Sequence, residues 1–478
     1  MEDTWSRRAW VLACAMCIAL WLAYLGLVPL GHWQADEYQT FGSLQDSVYD
    51  FVRWRVSSWS PRPLSEIFIY AYGRLVQANG QPMVIAALLP CWILLGATVL
   101  FPVLRRREHR RWALVPMAML PMFLLGHPVA DLFYWPMAAL AYIPTLAGII
   151  LVFVANECLH TSKTSRWIVI GLALLLAASC SEVGSLFVLA LVLSWACAGW
   201  IADGREKPLV VLLALGLPAL AAGMLLLKLA GVRIGYSGEV FGDAGIAHHW
   251  PDTLANTVPR AMREWIALDP SRARGRSMVL GLATKALFAI GAYRLAGRDV
   301  DGSRQRMRFA VALAALGMVP ATIFASYYQF GSPCCERHAI FRQCMVYLGL
   351  AAAAFWTAGW RARHGQTTDR RPWLGPACLL GSLLLAASTS IGKIAHDYGA
   401  YREIAASRDA TWRSGTSEGG VVELTPVTGA RIVGNDPELA AGVLHKDDPW
   451  TRAVLSYFGK DSLRVINKTT GVPEPDAP

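Results

Sequence analysis

One feature constrains this chain more than any other. Apolar runs of roughly 18–22 residues recur along most of its length, each long enough as a helix to cross a hydrocarbon core of about 30 Å. The first lies between the Arg7-Arg8 pair and Leu30. In lipid the backbone must satisfy its own polar groups, so only helices and closed barrels span. Barrel strands alternate with period two over about ten residues, and these runs do not alternate. The chain is therefore read as an all-α polytopic membrane protein. The composition agrees: 16% of the residues are charged and 55% hydrophobic, whereas a soluble protein carries roughly 25% charged residues.

Lysine and arginine set the orientation of such a chain, because cytoplasmic loops collect them. Basic turns fall at 105–111, 163–166, 203–207, 298–308 and 361–371, on alternate loops. Placing them inside predicts about eleven spans over residues 1–392, an uncleaved first span, a cytoplasmic N-terminus and an outside C-terminus. The outside loops are then 31–81, 127–135, 179–184, 231–277 and 328–338. The net charge of +10 reads as a topology signal, not a nucleic-acid footprint. Loop 231–277, with aromatics and mixed charges, predicts short interfacial helices. Residues 393–478 form a small α+β extracytoplasmic C-terminal segment. Within it the pattern predicts a helix over Asp397–Arg413, a strand pair at Gly420–Leu424 and Ala430–Val433, and an amphipathic helix ending at Phe458.

The first outside loop, 31–81, is about fifty residues long, and long loops are functional or disordered. It is too rich in Trp, Tyr and Phe to be disordered. Asp36 and Glu37 stand just beyond the first span, where a partly desolvated carboxylate suits general-base work. A solvated pair marking the helix end is the plainer reading. Arg53, Arg55 and Arg62 are interleaved with Trp54 and Trp59. Guanidinium binds phosphate bidentately, and Trp favours the membrane interface. Glu182 lies between two apolar runs, where an acid is expensive unless paired or facing a cavity. Asp131, beside Phe133, Tyr134 and Trp135, is similar. Arg337 and His338 open another span and suit phosphate neutralisation. Lys285, inside an apolar run, either snorkels or faces the same cavity. Cys334 and Cys335 lie outside the apolar runs; with His338 they fall short of the four ligands of a structural zinc site, and no disulfide framework is expected. No Walker motif, Gly-rich phosphate loop or cytoplasmic domain is present, so the chemistry belongs outside or in the membrane.

These pieces resemble the GT-C superfamily of membrane glycosyltransferases, and within it the bacterial glucosyl transferase-like group. The resemblance rests on Ala35-Asp36-Glu37-Tyr38, on Ser58-Trp59-Ser60-Pro61-Arg62-Pro63, on Tyr134-Trp135-Pro136, on Ser181-Glu182, on Pro333 to Arg337 and on Trp450 to Gly459. It implies transfer of a sugar, with inversion, from a polyprenyl-phosphate donor in the membrane lipid. The acceptor is a glycan, lipid or protein on the outer side of a bacterial inner membrane. It implies Asp36 as general base and Glu37 as a second acid, although the family often has Asp-Asp here. Arg53, Arg55, Arg62, Asp131, Glu182, Arg337 and His338 are the candidate substrate-binding residues. No cofactor is assigned, and assistance by a divalent cation stays open. Two other readings compete. An O-antigen-type polymerase or ligase carries its large outside loop late in the chain, unlike this one. A transporter or flippase tends to show repeats and broken helices at the midplane, and no repeat is detected here.

Overall fold

The computed structural model describes residues 2–80, 83–105, 110–159, 163–201, 208–234, 249–272, 275–296, 301–333, 335–366, 371–427, 429–435 and 449–466. The apolar runs are helical. Helix α1 (Glu2–Leu25) is followed by three helices built from the first loop, α2 (Ala35–Gly42), α3 (Val48–Ser58) and α4 (Pro63–Asn79). Then come α5 (Met83–Arg105), α6 (Arg110–Leu124), the single turn α7 (Ala130–Phe133), α8 (Pro136–Cys158), α9 (Lys163–Cys180), α10 (Glu182–Cys197) and α11 (Pro208–Ile234). Helix α12 (Trp250–Ile266) belongs to the second large loop and precedes α13 (Gly275–Leu295), α14 (Gly302–Phe330), α15 (Glu336–Arg363), α16 (Leu374–Ala387) and α17 (Ile391–Gly399).

Among the described residues eight helices are long and apolar enough to cross a membrane, and α16 with α17, bent by 52°, makes a ninth candidate. Helices α6 and α10 are shorter apolar helices and occupy places where the sequence predicts spans. The protein is a multi-pass, all-α membrane protein.

Helix α8 is the centre of the bundle, with almost every side chain buried. Helices in lipid associate by close packing of small residues rather than by a hydrophobic drive. Gly148 of α8 illustrates it: a Cβ there would lie 2.6 Å from the carbonyl oxygen of Ala173 on α9. Gly184 of α10 is tighter still, with the Ala177 carbonyl oxygen 1.9 Å from the position of a Cβ. Helix α11 instead exposes Leu212, Leu220 and Leu227, as a lipid-facing surface does. At the opposite ends of α8 and α14, the buried Arg308 Nε donates to Glu157 Oε1 at 2.8 Å. Arg166 Nη2 donates to Ser303 Oγ at 2.8 Å nearby.

Four expectations change. Lys285 neither snorkels nor faces the first-loop site: its ammonium donates to the carbonyls of Glu264 (2.9 Å) and Ala267 (2.7 Å), closing the C-terminal end of α12. The tail helix is broken at Ala400 into α17 and α18 (Tyr401–Thr416). Strand β1 (Val421–Leu424) pairs in parallel with β2 (Ser462–Val465), beyond α19 (Pro449–Phe458), and not with 430–433. The reason is Asp397, whose carboxylate accepts from the backbone N–H of Arg431, Ile432 and Val433 at 2.8, 2.8 and 3.2 Å, occupying the donors a ladder needs. Cys335 is disulfide-bonded; Cys334 lies outside the described residues, as do 235–248 of the second loop.

Candidate functional site

The Pro61-Arg62-Pro63 sequence builds one wall. A residue before proline is kept out of the helical region, and Arg62 takes φ −120° and ψ 64° as the N-cap of α4, with Pro63 in the first turn. Its guanidinium turns back onto Glu66 Oε1 at 3.3 Å, and Arg55 Nε of α3 donates to Glu66 Oε2 at 2.9 Å. Glu66 is fully buried, so one carboxylate ties two cations and two helices together. The Arg55 guanidinium also lies 5.6 Å from the Trp59 ring.

Asp36 and Glu37 occupy the first turn of α2, and Gln34 caps it. Glu37 Oε2 accepts from the Gln34 backbone N–H at 3.0 Å, one arm of a capping box. Glu37 is wholly buried. Burial pushes its pKa up to about 8 against the opposing pull of the Trp135 indole, so it is largely protonated at neutral pH. Asp36 faces the other way and is half-buried. Among the described residues its carboxylate makes no hydrogen bond or ion pair.

The cleft into which Asp36 looks is small, about 40 Å³, and is lined by Asp36, Arg55, Trp59, Ser60, Arg62, Trp135, Met137, Ala138, Tyr142, Glu182 and Arg337. Helices α4, α8, α10 and α15 all begin around it, and helix N-termini favour negative charge. Three guanidiniums and two carboxylates line it. Arg337 stacks over Trp135 at 5.0 Å and, among the described residues, has no carboxylate within ion-pair distance. Behind it, burial raises the pKa of Asp131, offset by the Arg337 charge and by a hydrogen bond from Gln34. That bond, Gln34 Nε2 to Asp131 Oδ1, is long at 3.5 Å.

Tyr142 joins the two remaining groups. Its hydroxyl lies 3.0 Å from Glu182 Oε1 and 2.9 Å from His338 Nε2. One hydroxyl proton serves one acceptor; given to Glu182, it leaves His338 to donate from Nε2. Ser181 caps α10 by accepting from the Gly184 N–H at 3.1 Å, which sets the direction of Glu182.

Of the residues singled out in the sequence, Asp36, Arg55, Arg62, Glu182 and Arg337 line one cleft. Asp131 and His338 stand directly behind it, through Arg337 and Tyr142. Glu37 does not line it, because the next position on a helix turns by about 100° and sends its side chain into the core. Arg53 does not line it either: two residues before Arg55 on α3, it is exposed on another face. Trp59 and Trp135, quoted in the sequence motifs, also line it; Tyr142, which lines it, and Glu66, which clamps Arg55 and Arg62 from outside the lining, were not among the candidates. Glu66 carried a signal, standing four residues after Arg62; Tyr142 carried none, being hidden in an apolar run. Among the described residues no group of three or more His, Cys, Asp or Glu side chains is placed to hold a metal ion.

The fold and cleft define a class: a multi-pass helical membrane protein with a charged cleft where several helices begin. No protein-family model matches the chain, and neither a curated protein nor a solved structure matches it.

Proposed function

We propose that this protein is a membrane glycosyltransferase that moves a sugar from a polyprenyl-phosphate donor to an acceptor hydroxyl of a glycan, lipid or protein. The observation that supports this reading is an unpartnered carboxylate, Asp36, in the same cleft as Arg55, Arg62 and Arg337. In the proposed step the acceptor oxygen attacks the anomeric carbon, and Asp36 receives its proton. The bond from sugar to phosphate oxygen breaks, the polyprenyl phosphate leaves with the electron pair, and the configuration inverts. The charge that develops on the phosphate is held by donors already aimed at it, Arg337 first, since it is not committed to a carboxylate. Glu182 fixes the tyrosine through its hydrogen bond, and Asp131 acts on Arg337 by charge alone, beyond ion-pair distance. The aromatic faces of Trp59 and Trp135 suit the apolar face of a sugar ring. The site lies on the outer side of a bacterial cytoplasmic membrane, with about eleven spans and the N-terminus inside, as the basic turns indicate.

The test is transfer from a panel of polyprenyl-phosphate sugars into acceptor-containing membrane extract. A positioned base contributes about 10²–10⁴-fold, and Asp36→Asn is expected to lose that much while its chromatographic profile stays that of the wild type. Transfer unchanged in a folded Asp36→Asn protein overturns the mechanism.

A further inference from the structure

A second cavity, of about 310 Å³, lies on another face of α15. Arg337 faces the first cleft, whereas Glu336, Ala339, Ile340 and Gln343 line the second. Helix α12 and the loops after α6 and α12 complete it through Arg260, Asp269 and His127.

Its polar wall is built around the buried Glu264. Arg342 donates to Glu264 Oε1 from Nε (3.2 Å) and Nη2 (3.0 Å). Gln343 Nε2 donates to Glu264 Oε2 at 2.8 Å and to the Glu264 carbonyl at 2.9 Å. Both partners of that amide are acceptors, so its nitrogen must face them and Gln343 Oε1 is left over. His127 Nδ1 lies 2.9 Å from the Pro128 carbonyl, again an acceptor, so Nδ1 carries the proton and Nε2 is a bare acceptor. Burial lowers the pKa of His127, which keeps the ring neutral. Among the described residues, Gln343 Oε1, His127 Nε2, Arg342 Nη1 and Arg260 Nε have no hydrogen-bond partner although all four atoms are buried; Arg260 Nε lies 3.4 Å from Glu264 Oε1 without bonding to it.

Two acceptors and two donors are thus unmet on residues that line one cavity. Buried polar groups ordinarily find partners. A phosphodiester or a carboxylate only accepts, and it would satisfy Arg342 and Arg260 while leaving His127 and Gln343 unmet. A water or a hydroxyl both gives and accepts, and a cavity of this volume holds more than one such group. The exposed face of α12 adds a direction of approach. Trp250, Leu254, Val258 and Met262 recur every four residues and are all exposed, an apolar stripe suited to the membrane interface. The inner face of the same helix carries Arg260 to the cavity and the buried Glu264 behind its wall.

We infer that the cavity between α12 and α15 is a binding site for an uncharged, polyhydroxylated group, the sugar of a membrane-borne glycan. As the acceptor subsite of the reaction proposed above it rests on that reaction; as a sugar site it does not. The experiment uses the purified full-length protein in lipid nanodiscs, with no donor present. The probes are a panel of methyl glycosides and, separately, inorganic phosphate, read by thermal shift and by saturation-transfer NMR. At least one methyl glycoside is expected to bind. Ala339→Trp, which fills the cavity, is expected to weaken that binding about tenfold or more (about 1.4 kcal/mol per factor of ten). Arg53→Ala, at an exposed position on another face of α3 that lines neither cavity, is expected to leave it unchanged. Ala339→Leu serves if the tryptophan variant does not fold. Binding of phosphate alone, binding lost in Arg53→Ala yet kept in the Ala339 variants, or no glycoside binding overturns the inference. Because no transfer is measured, failure of the proposed reaction and failure of this site are read separately.

Discussion

Two neighbouring acids in α2 have opposite fates. Asp36 keeps its carboxylate free in the cleft; Glu37 is fully buried and its pKa is raised from 4.5 to about 8. An acid whose folded pKa is raised binds its proton more tightly when folded. The stability that Glu37 contributes is therefore fully present below its unfolded pKa and is lost as pH rises through about 8. Replacement by glutamine keeps an oxygen to accept the Gln34 N–H and removes the titration. Glu37→Gln is expected to flatten the fall in melting temperature between pH 4.5 and about 8, measured by thermal unfolding across that range, and to retain the sugar transfer that Asp36→Asn loses. A transfer-dead Glu37→Gln protein with a wild-type fold would give Glu37 a direct part in the chemistry.

At the scale of helices, the cleft depends on how closely α9 and α10 approach. The Ser181-Glu182-Val183-Gly184 turn brings Gly184 against the Ala177 carbonyl, with no room for a methyl group. Forcing atoms into such packing costs typically about 1–3 kcal/mol. Gly184→Ala is expected to lower thermal stability by that order and to shift Glu182 away from Tyr142, weakening donor use. Unchanged melting in detergent would show that the turn can open at no cost. The α3–α4 clamp has the same character. Arg55 and Arg62 are held by one buried Glu66, so both arginines reach the cleft with their geometry set before any ligand arrives.

Across the whole molecule, the tail is part of the site's support. Trp33, just before α2, packs edge-on against Trp412 of α18 and Tyr457 of α19, with ring centroids 5.1 and 5.4 Å apart. Tyr38 of α2 meets Phe458 at 5.8 Å. Asp397, fully buried, holds residues 431–433 by three backbone hydrogen bonds. Hydrogen bonds to a charged group contribute about 1.5–3 kcal/mol each. Asp397→Ala is expected to loosen residues 400–435, read as new cuts there in limited proteolysis of the intact protein while the helical bundle survives. Resistance equal to wild type would show that the aromatic packing holds the tail without Asp397.

Much of this protein was legible in its sequence, and the division has a physical basis. Bilayer thickness translates directly into run length, and the cost of exposed backbone in lipid leaves helices as the answer, so the membrane class needed no structure. The long aromatic loop and the acids and arginines at its end were legible for a similar reason: charge beside lipid is expensive and stands out. That Asp36, Arg55, Arg62, Glu182 and Arg337 serve one site was an expectation drawn from the resemblance; the way they meet was not legible, because it joins residues up to about three hundred positions apart through helix packing that no local pattern records. Neither was the separation of Asp36 from Glu37 or of Arg53 from Arg55, which depends on which face of a short helix meets the bundle. Local propensity also misplaced the partner of β1: residues 430–433 look like a strand, and the buried carboxylate of Asp397 takes their N–H groups instead. Run length and charge cost are properties of a segment in its solvent, and the sequence alone determined them. Which side chains share a cleft is a property of how segments pack, and only the tertiary structure decided it.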